Sequence, residues 1–225
     1  MLVYYFNDFD AVDEQTIEQM LTLAAPQQVE LVHSIKMLSR QREQAVSYAM
    51  LAYALQFNRA QILDRETTVL PFPTPWLLEP VDVPPTWAVG EHGKPYLTNH
   101  EGVHFNISHC REAIVTAVSG HEIGVDVEGR RKFSDNLLGR AFSEAEQHLV
   151  RQSDDPEQEF ARIWTRKEAW FKWTGTGILI DHLKTVEEEA AIAQCHIETT
   201  LVSPPLPFQD HVFYLSIAQD QTTVL

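Results

Sequence analysis

The stretch VHFNISHCREAIVTAVSGHEIGVDVE, residues 103–128, decides the fold. Its runs VHFNIS, AIVTAVS and EIGVDVE are short, rich in β-branched and apolar residues, and separated only by the turn segments HCRE and GH. An antiparallel meander is the economical reading. Outward from it, LVYYFN near the start reads as a strand. DEQTIEQMLTLA and QQVELVHSIKMLSRQREQAVSYAMLAYALQF carry apolar residues at helical spacing. After the meander, FSDNLLGRAFSEAEQHLVRQ reads as helix, with Ser143 and Glu146 in a capping-box pattern. DPEQEFARIWTRKEAWFKWTG is the strongest helix, with Pro156 in a first turn and Gly175 at the stop. CHIETTLVS and HVFYLSIAQ close the chain as strands. Strands and helices mix without regular β-α-β alternation, so the expected class is α+β with mainly antiparallel sheet.

Half of the 12 prolines fall in 71–85, which reads as an ordered connector or extended loop. A break near residues 118–122 would divide the chain into an N-terminal lobe, 1–120, and a C-terminal lobe, 121–225. At 225 residues with 44% hydrophobic content the chain can bury a sizeable core. The formal net charge of −15 speaks against a general nucleic-acid binder, although GRRK at 129–132 is locally basic. Cys110 and Cys195 form no C-x-x-C arrangement, so neither a disulfide framework nor a zinc knuckle is expected. The opening MLVYYFNDFD has no basic leader segment, and no apolar run is long enough for a bilayer. The expected location is the cytoplasm, away from membranes, where the sequon at Asn106 would go unglycosylated.

Candidate chemistry sits on two elements. In IGVDVE the period of two puts Ile123, Val125 and Val127 on one face and Gly124, Asp126 and Glu128 on the other. Such a carboxylate pair is ordinarily a solvated edge, but it also suits a hard cation. In the strongest helix, Phe160, Ile163, Trp164, Lys167, Trp170 and Phe171 share a face, and Glu168 and Lys172 lie on its flank one turn apart. A plain i,i+4 pair would contribute about 0.2–0.5 kcal/mol. The flank of so aromatic a face is, however, where a neighbour packs. If that neighbour is the Asp126/Glu128 strand, three carboxylates converge, and like charges about 4 Å apart repel by roughly 4 kcal/mol at an effective dielectric of 20. A divalent cation would remove that penalty, and Lys172 would reach the anion it holds, a diphosphate being the commonest ligand of Mg²⁺. Ser108 and His109 could donate to phosphate from the end of a strand, though a lone Ser-His there is more often an ordinary turn. His104 and His109 do not suit a zinc pair, and the GTG at 175–177 follows a helix where a phosphate-binding loop would precede one.

The segments GKP, FNISH, GVDVE, FSEAE and WTRKEAWFKWTGTG stand in the order and approximate spacing of the surfactin-synthetase-type 4'-phosphopantetheinyl transferases, a family this chain resembles from about Gly93 to the ILIDHLKTV segment. The resemblance implies two similar α/β lobes related by a pseudo-twofold axis, each with a small sheet and packed helices, and an active site between them. It implies Mg²⁺-dependent transfer of the 4'-phosphopantetheine arm of coenzyme A to a serine of an apo acyl- or peptidyl-carrier protein, releasing 3',5'-ADP. Asp126, Glu128 and Glu168 would hold Mg²⁺, and Lys172 would meet the phosphate. Glu168 or Glu146 would take the serine proton. Lys94, Pro95, Ser108 and His109 would contact coenzyme A. For the 3'-phosphate, Arg40 and Arg42 stand slightly early and Gln44 nearer the family's position. A monomer would suffice, since both lobes belong to one chain. Docking of an acidic carrier is expected to rely on a basic patch such as Arg130, Arg131, Lys132 and Arg140, or on apolar contact. Two other readings use the same residues: a metal-dependent hydrolase of a nucleotide diphosphate, and a non-catalytic module that binds carrier proteins or coenzyme A.

Overall fold

The computed structural model describes residues 1–56, 62, 66–73, 83–204 and 212–220. Most of the expected proline-rich connector, 74–82, lies outside the described residues. Among them the fold is α+β with small, mainly antiparallel sheets. The first sheet comprises β1 (Leu2–Phe6), β2 (Thr68–Pro71), β5 (His104–His109) and β6 (Ile114–Ser119) in the order β2-β1-β6-β5. Only its β1–β2 edge is parallel. β3 (Trp87–Val89) and β4 (Pro95–Leu97) form a separate hairpin. The last sheet has the order β7-β9-β8, built from β7 (Ile123–Glu128), β8 (Cys195–Val202) and β9 (Phe213–Asp220).

The three runs of residues 103–128 are therefore all strands, but they do not form one meander. β5 and β6 pair as a hairpin, while the far edge of β6 is taken by β1, and β7 crosses into the other sheet to pair with β9. With β6 hydrogen-bonded on both sides, no edge remained for β7. Two expected helices also divide. DEQTIEQMLTLA forms α1 (Glu14–Leu21) as expected, whereas the longer run after it becomes α2 (Pro26–Ser34) and α3 (Leu38–Gln56), with Ile35 extended at the break and its carbonyl accepting from the Gln41 side chain. The second becomes α4 (Asp135–Ala141) and α5 (Glu144–Gln152), because the Ser143–Glu146 capping box starts a new helix after an extended Phe142. The strongest helix forms as expected: α6 (Pro156–Thr174), capped by Asp155 and stopped by left-handed Gly175 at φ 71°.

Layering follows from strand alternation. Leu2, Tyr4 and Phe6 of β1 face a core shared with α1–α3, while Val3 and Tyr5 face the other way. That second face meets Ile123, Val125 and Val127 of β7 and Leu215 and Ile217 of β9, so the two sheets pack against one another. Beyond the second sheet lies a third core with Phe160, Ile163, Trp164, Trp170 and Phe171 of α6, joined by α4, α5 and α7 (Val186–Ile192). β7 is thus covered on both sides, with its apolar residues against the first sheet and its polar residues beneath α6. No described helix is long and apolar enough to cross a membrane.

Candidate functional site

The site begins with an absent side chain. A Cβ on Gly124 would lie 2.2 Å from the Ala169 carbonyl oxygen and 2.2 Å from the Trp173 nitrogen, both in the backbone of α6. Glycine there lets the helix lie directly on the strand. The next residue on that face, Asp126, is then buried under the helix flank that carries Glu168 and Lys172.

The Lys172 ammonium donates to Asp126 Oδ1 at 2.6 Å and to the Ser108 hydroxyl at 2.8 Å, and lies 4.0 Å from Glu168 Oε2. Ser108 donates to Asp126 Oδ1 at 2.7 Å. β5 and β7 belong to different sheets, so side chains join them: the Asn106 side-chain oxygen also accepts from the Val125 nitrogen at 2.9 Å. Glu168 accepts from the Trp164 indole at 2.6 Å. Burial first, and then the charge of Asp126, push the Glu168 carboxyl up to about 7, against the opposing pull of Lys172 and Trp164. Glu128 pairs with Arg131, whose guanidinium stacks 4.7 Å above the Trp164 ring. Burial raises the Glu128 pKa despite that partner.

Lys172 also lines a cleft of about 240 Å³, together with Lys94, Pro95, Asn106, Phe171 and the glycines that follow α6, Gly175 and Gly177. Lys94 donates to Glu122 at 2.7 Å and to the Trp173 carbonyl at 2.9 Å. The structure thus brings Ser108, Asp126, Glu168 and Lys172 together and sets Lys94 and Pro95 along the same cleft. His109 is exposed at the end of β5. Glu146 is engaged elsewhere: one oxygen meets Lys167 at 2.7 Å and the other accepts from the Ser143 nitrogen at 2.7 Å.

Among the described residues, no group of three His, Cys, Asp or Glu side chains stands arranged to hold a metal ion. The carboxylates instead have internal counter-cations, Lys172 for Asp126 and Arg131 for Glu128, so the repulsion expected from the sequence is met by charge pairing. One feature does suit a cation. Asp126 Oδ2 is buried and no hydrogen-bond partner reaches it, which is costly for a carboxylate and leaves a hard oxygen donor available.

Sequence reasoning missed four residues of the site. Asn106 could have been found from the two-residue period that places it on the face of Ser108, and Trp164 from its position one turn before Glu168. Gly124 and Arg131 carry no local signal, because their roles depend on contacts with α6.

A sequence profile described as the 4'-phosphopantetheinyl transferase superfamily matches residues 122–207. The 4'-phosphopantetheinyl transferase AcpT of Salmonella typhimurium is 33% identical over 134 residues, spanning 55% of this chain and 69% of that protein. The chain belongs to the 4'-phosphopantetheinyl transferase family. A 4'-phosphopantetheinyl transferase of Bacillus subtilis is 35% identical over 104 residues, covering 45% of each chain. Sfp of Bacillus subtilis strain 168 is 28% identical over 127 residues, covering 51% of this chain and 57% of that one. The chain therefore spans about half the length of these two Bacillus relatives.

Proposed function

We propose that the protein transfers the 4'-phosphopantetheine arm of coenzyme A to a serine of an apo acyl- or peptidyl-carrier protein and releases 3',5'-ADP. The observation that carries this reading is the Lys172 ammonium, held between Ser108 and Asp126 on the wall of the cleft and close to Glu168. The serine oxygen attacks the phosphorus that bears the pantetheine arm. The bond to the 3',5'-ADP oxygen breaks, and its electron pair leaves with that oxygen. Lys172 is placed to offset charge on the phosphoryl oxygens during this exchange. Glu168 is the better base of the two candidates, because both oxygens of Glu146 are already engaged by Lys167 and the helix cap. Asp126, through its unpartnered oxygen, with Glu128 and Glu168 would hold Mg²⁺, which supplies Lewis-acid stabilisation of the diphosphate when bound. Lys94, Pro95, Ser108 and His109 would contact coenzyme A.

On this reading the chain works as two lobes, 1–120 and 121–225, with the cleft between them. It acts as a monomer, because one chain supplies both walls, and in the cytoplasm. For docking an acidic carrier, Arg130 is already paired with Asp155 and Glu157, and Arg131 with Glu128. Within the expected basic patch, Lys132 and Arg140 are the exposed cations for which no such pairing is seen. Reversing Arg131 would place another carboxylate beside Glu128, so Lys132→Glu with Arg140→Glu is the cleaner test of docking.

The reaction is tested by intact-mass spectrometry of several apo carrier proteins incubated with the protein, coenzyme A and Mg²⁺, with and without EDTA. The expected result is a metal-dependent gain of one phosphopantetheine, lost in Asp126→Ala and in Glu168→Ala. Cleavage of coenzyme A with no gain on any carrier would establish the hydrolase instead.

A further inference from the structure

Lys94 is bound to a carboxylate before any substrate arrives. Glu122 Oε2 accepts from its ammonium at 2.7 Å, and Glu122 Oε1 meets His104 Nδ1 at 3.0 Å. This triad marks the boundary between two hollows. Lys94 and Pro95 line both the 240 Å³ cleft shared with Lys172 and a second cavity of about 480 Å³ that also contains His104 and Glu122.

The two partners differ in their freedom. The Lys94 side chain is 20% exposed, donates to the last-turn carbonyl of Trp173, and passes so close to Gly175 that a Cβ there would stand 3.1 Å from Lys94 Cδ. The Glu122 side chain is 51% exposed, and its other oxygen already rests on His104. A competing anion would therefore leave Lys94 where it is and send Glu122 toward water and His104. A half-exposed ion pair is weak enough to be exchanged in this way.

We propose that Glu122 sets the affinity of the anion cleft by competing for Lys94: it keeps Lys94 as a neutralised pair, and a substrate phosphate takes Lys94 by displacing the Glu122 carboxylate. This rests on the reading of the cleft as the coenzyme A site.

Calorimetric titration with coenzyme A, without Mg²⁺, of the wild type, Glu122→Gln, Lys94→Met and the double variant tests this directly. Glutamine keeps the shape and hydrogen-bonding reach of Glu122 but removes its charge. Glu122→Gln should tighten coenzyme A binding by about fivefold at low salt, the size of one half-exposed ion pair, with the gain shrinking as salt is added. In the Lys94→Met background the same change should yield less than half that gain. Unchanged or weaker binding in Glu122→Gln would overturn the proposal, because Glu122 would then position Lys94 rather than compete for it. An equal gain in both backgrounds would also overturn it, by showing general charge repulsion. Failure of the wild type to bind coenzyme A even with Mg²⁺ would remove the coenzyme A reading itself, and this proposal with it.

Discussion

The helix α6 carries a lysine into each of two seams, and the seams are built differently. At the seam with α5, Lys167 is 1% exposed and has everything a buried ammonium needs: Glu146 at 2.7 Å, the Leu183 carbonyl at 2.5 Å and the Phe142 ring 5.4 Å away. Its carboxylate partner is equally satisfied, with the second oxygen in the helix cap. At the seam with β7, Lys172 is 27% exposed and opens onto a cleft, while its partner Asp126 keeps one buried oxygen unpartnered. Both are lysine–carboxylate pairs under 3 Å on one helix. Completeness separates them: the closed pair has no capacity left for a ligand, and the open pair does.

The comparison breaks most visibly if each lysine is replaced by methionine. Lys167→Met leaves Glu146 beneath the helix without its cation, and the cost is about 3–5 kcal/mol of stability in chemical denaturation. Mg²⁺ should restore little of it, since one Glu146 oxygen stays in the α5 cap and the single oxygen that is freed does not make the octahedral set of oxygen donors that Mg²⁺ demands. Lys172→Met should slow transfer by about 10²–10³-fold, the usual loss when one group that meets transition-state charge is removed. It also strips Asp126 of its counter-cation, and here saturating Mg²⁺ should recover stability. An identical response of the two variants to Mg²⁺ would show that the open seam is not a cation site.

Much of this arrangement could be read from local pattern. The period of two in IGVDVE placed Asp126 and Glu128 on one face, and the helical period placed Glu168 and Lys172 on the flank of α6; the structure keeps both. What local pattern could not supply was the partner of β7. Its pairing with β9 joins residues such as Asp126 and Ser216, far apart in the chain, and was forced by β1 occupying the free edge of β6. The same blindness affected charge. Arg131 reads as a surface cation until the fold brings Trp164 beneath its guanidinium, and Trp164 counts only as core until its indole meets Glu168.

The close contact that makes the open seam can be tested more gently. Gly124→Ala places a methyl group 2.2 Å from two backbone atoms of α6, and neither is the movable end of a flexible side chain. The helix must lift from the strand, at about 1–3 kcal/mol by analogy with overpacked cores, and Lys172 is drawn from Asp126, lowering the transfer rate. Gly139, within α4, offers the control: a Cβ there meets nothing within 4 Å, so Gly139→Ala should be neutral or stabilising by up to about 1 kcal/mol through helix propensity alone. Equal outcomes at the two glycines in denaturation and rate measurements would contradict the close packing of β7 against α6.

The smallest effect belongs to the most exposed pair. Hydrogen bonding from His104, reinforced by Lys94 against the opposing effect of partial burial, lowers the Glu122 carboxyl from an ordinary 4.5 to about 2. A carboxylate whose pKa falls on folding contributes stability above its unfolded value and loses that contribution as the pH drops from 4.5 toward 2. Half exposure and salt screening hold the contribution below about 1 kcal/mol. The wild type should therefore exceed Glu122→Gln in stability by that small margin near neutral pH, and the margin should close on acidification toward pH ~3. A margin that persisted undiminished in acid would mean that Glu122 stabilises the fold through packing rather than charge, which would align it with the closed seam of Lys167 instead of the open one of Lys172.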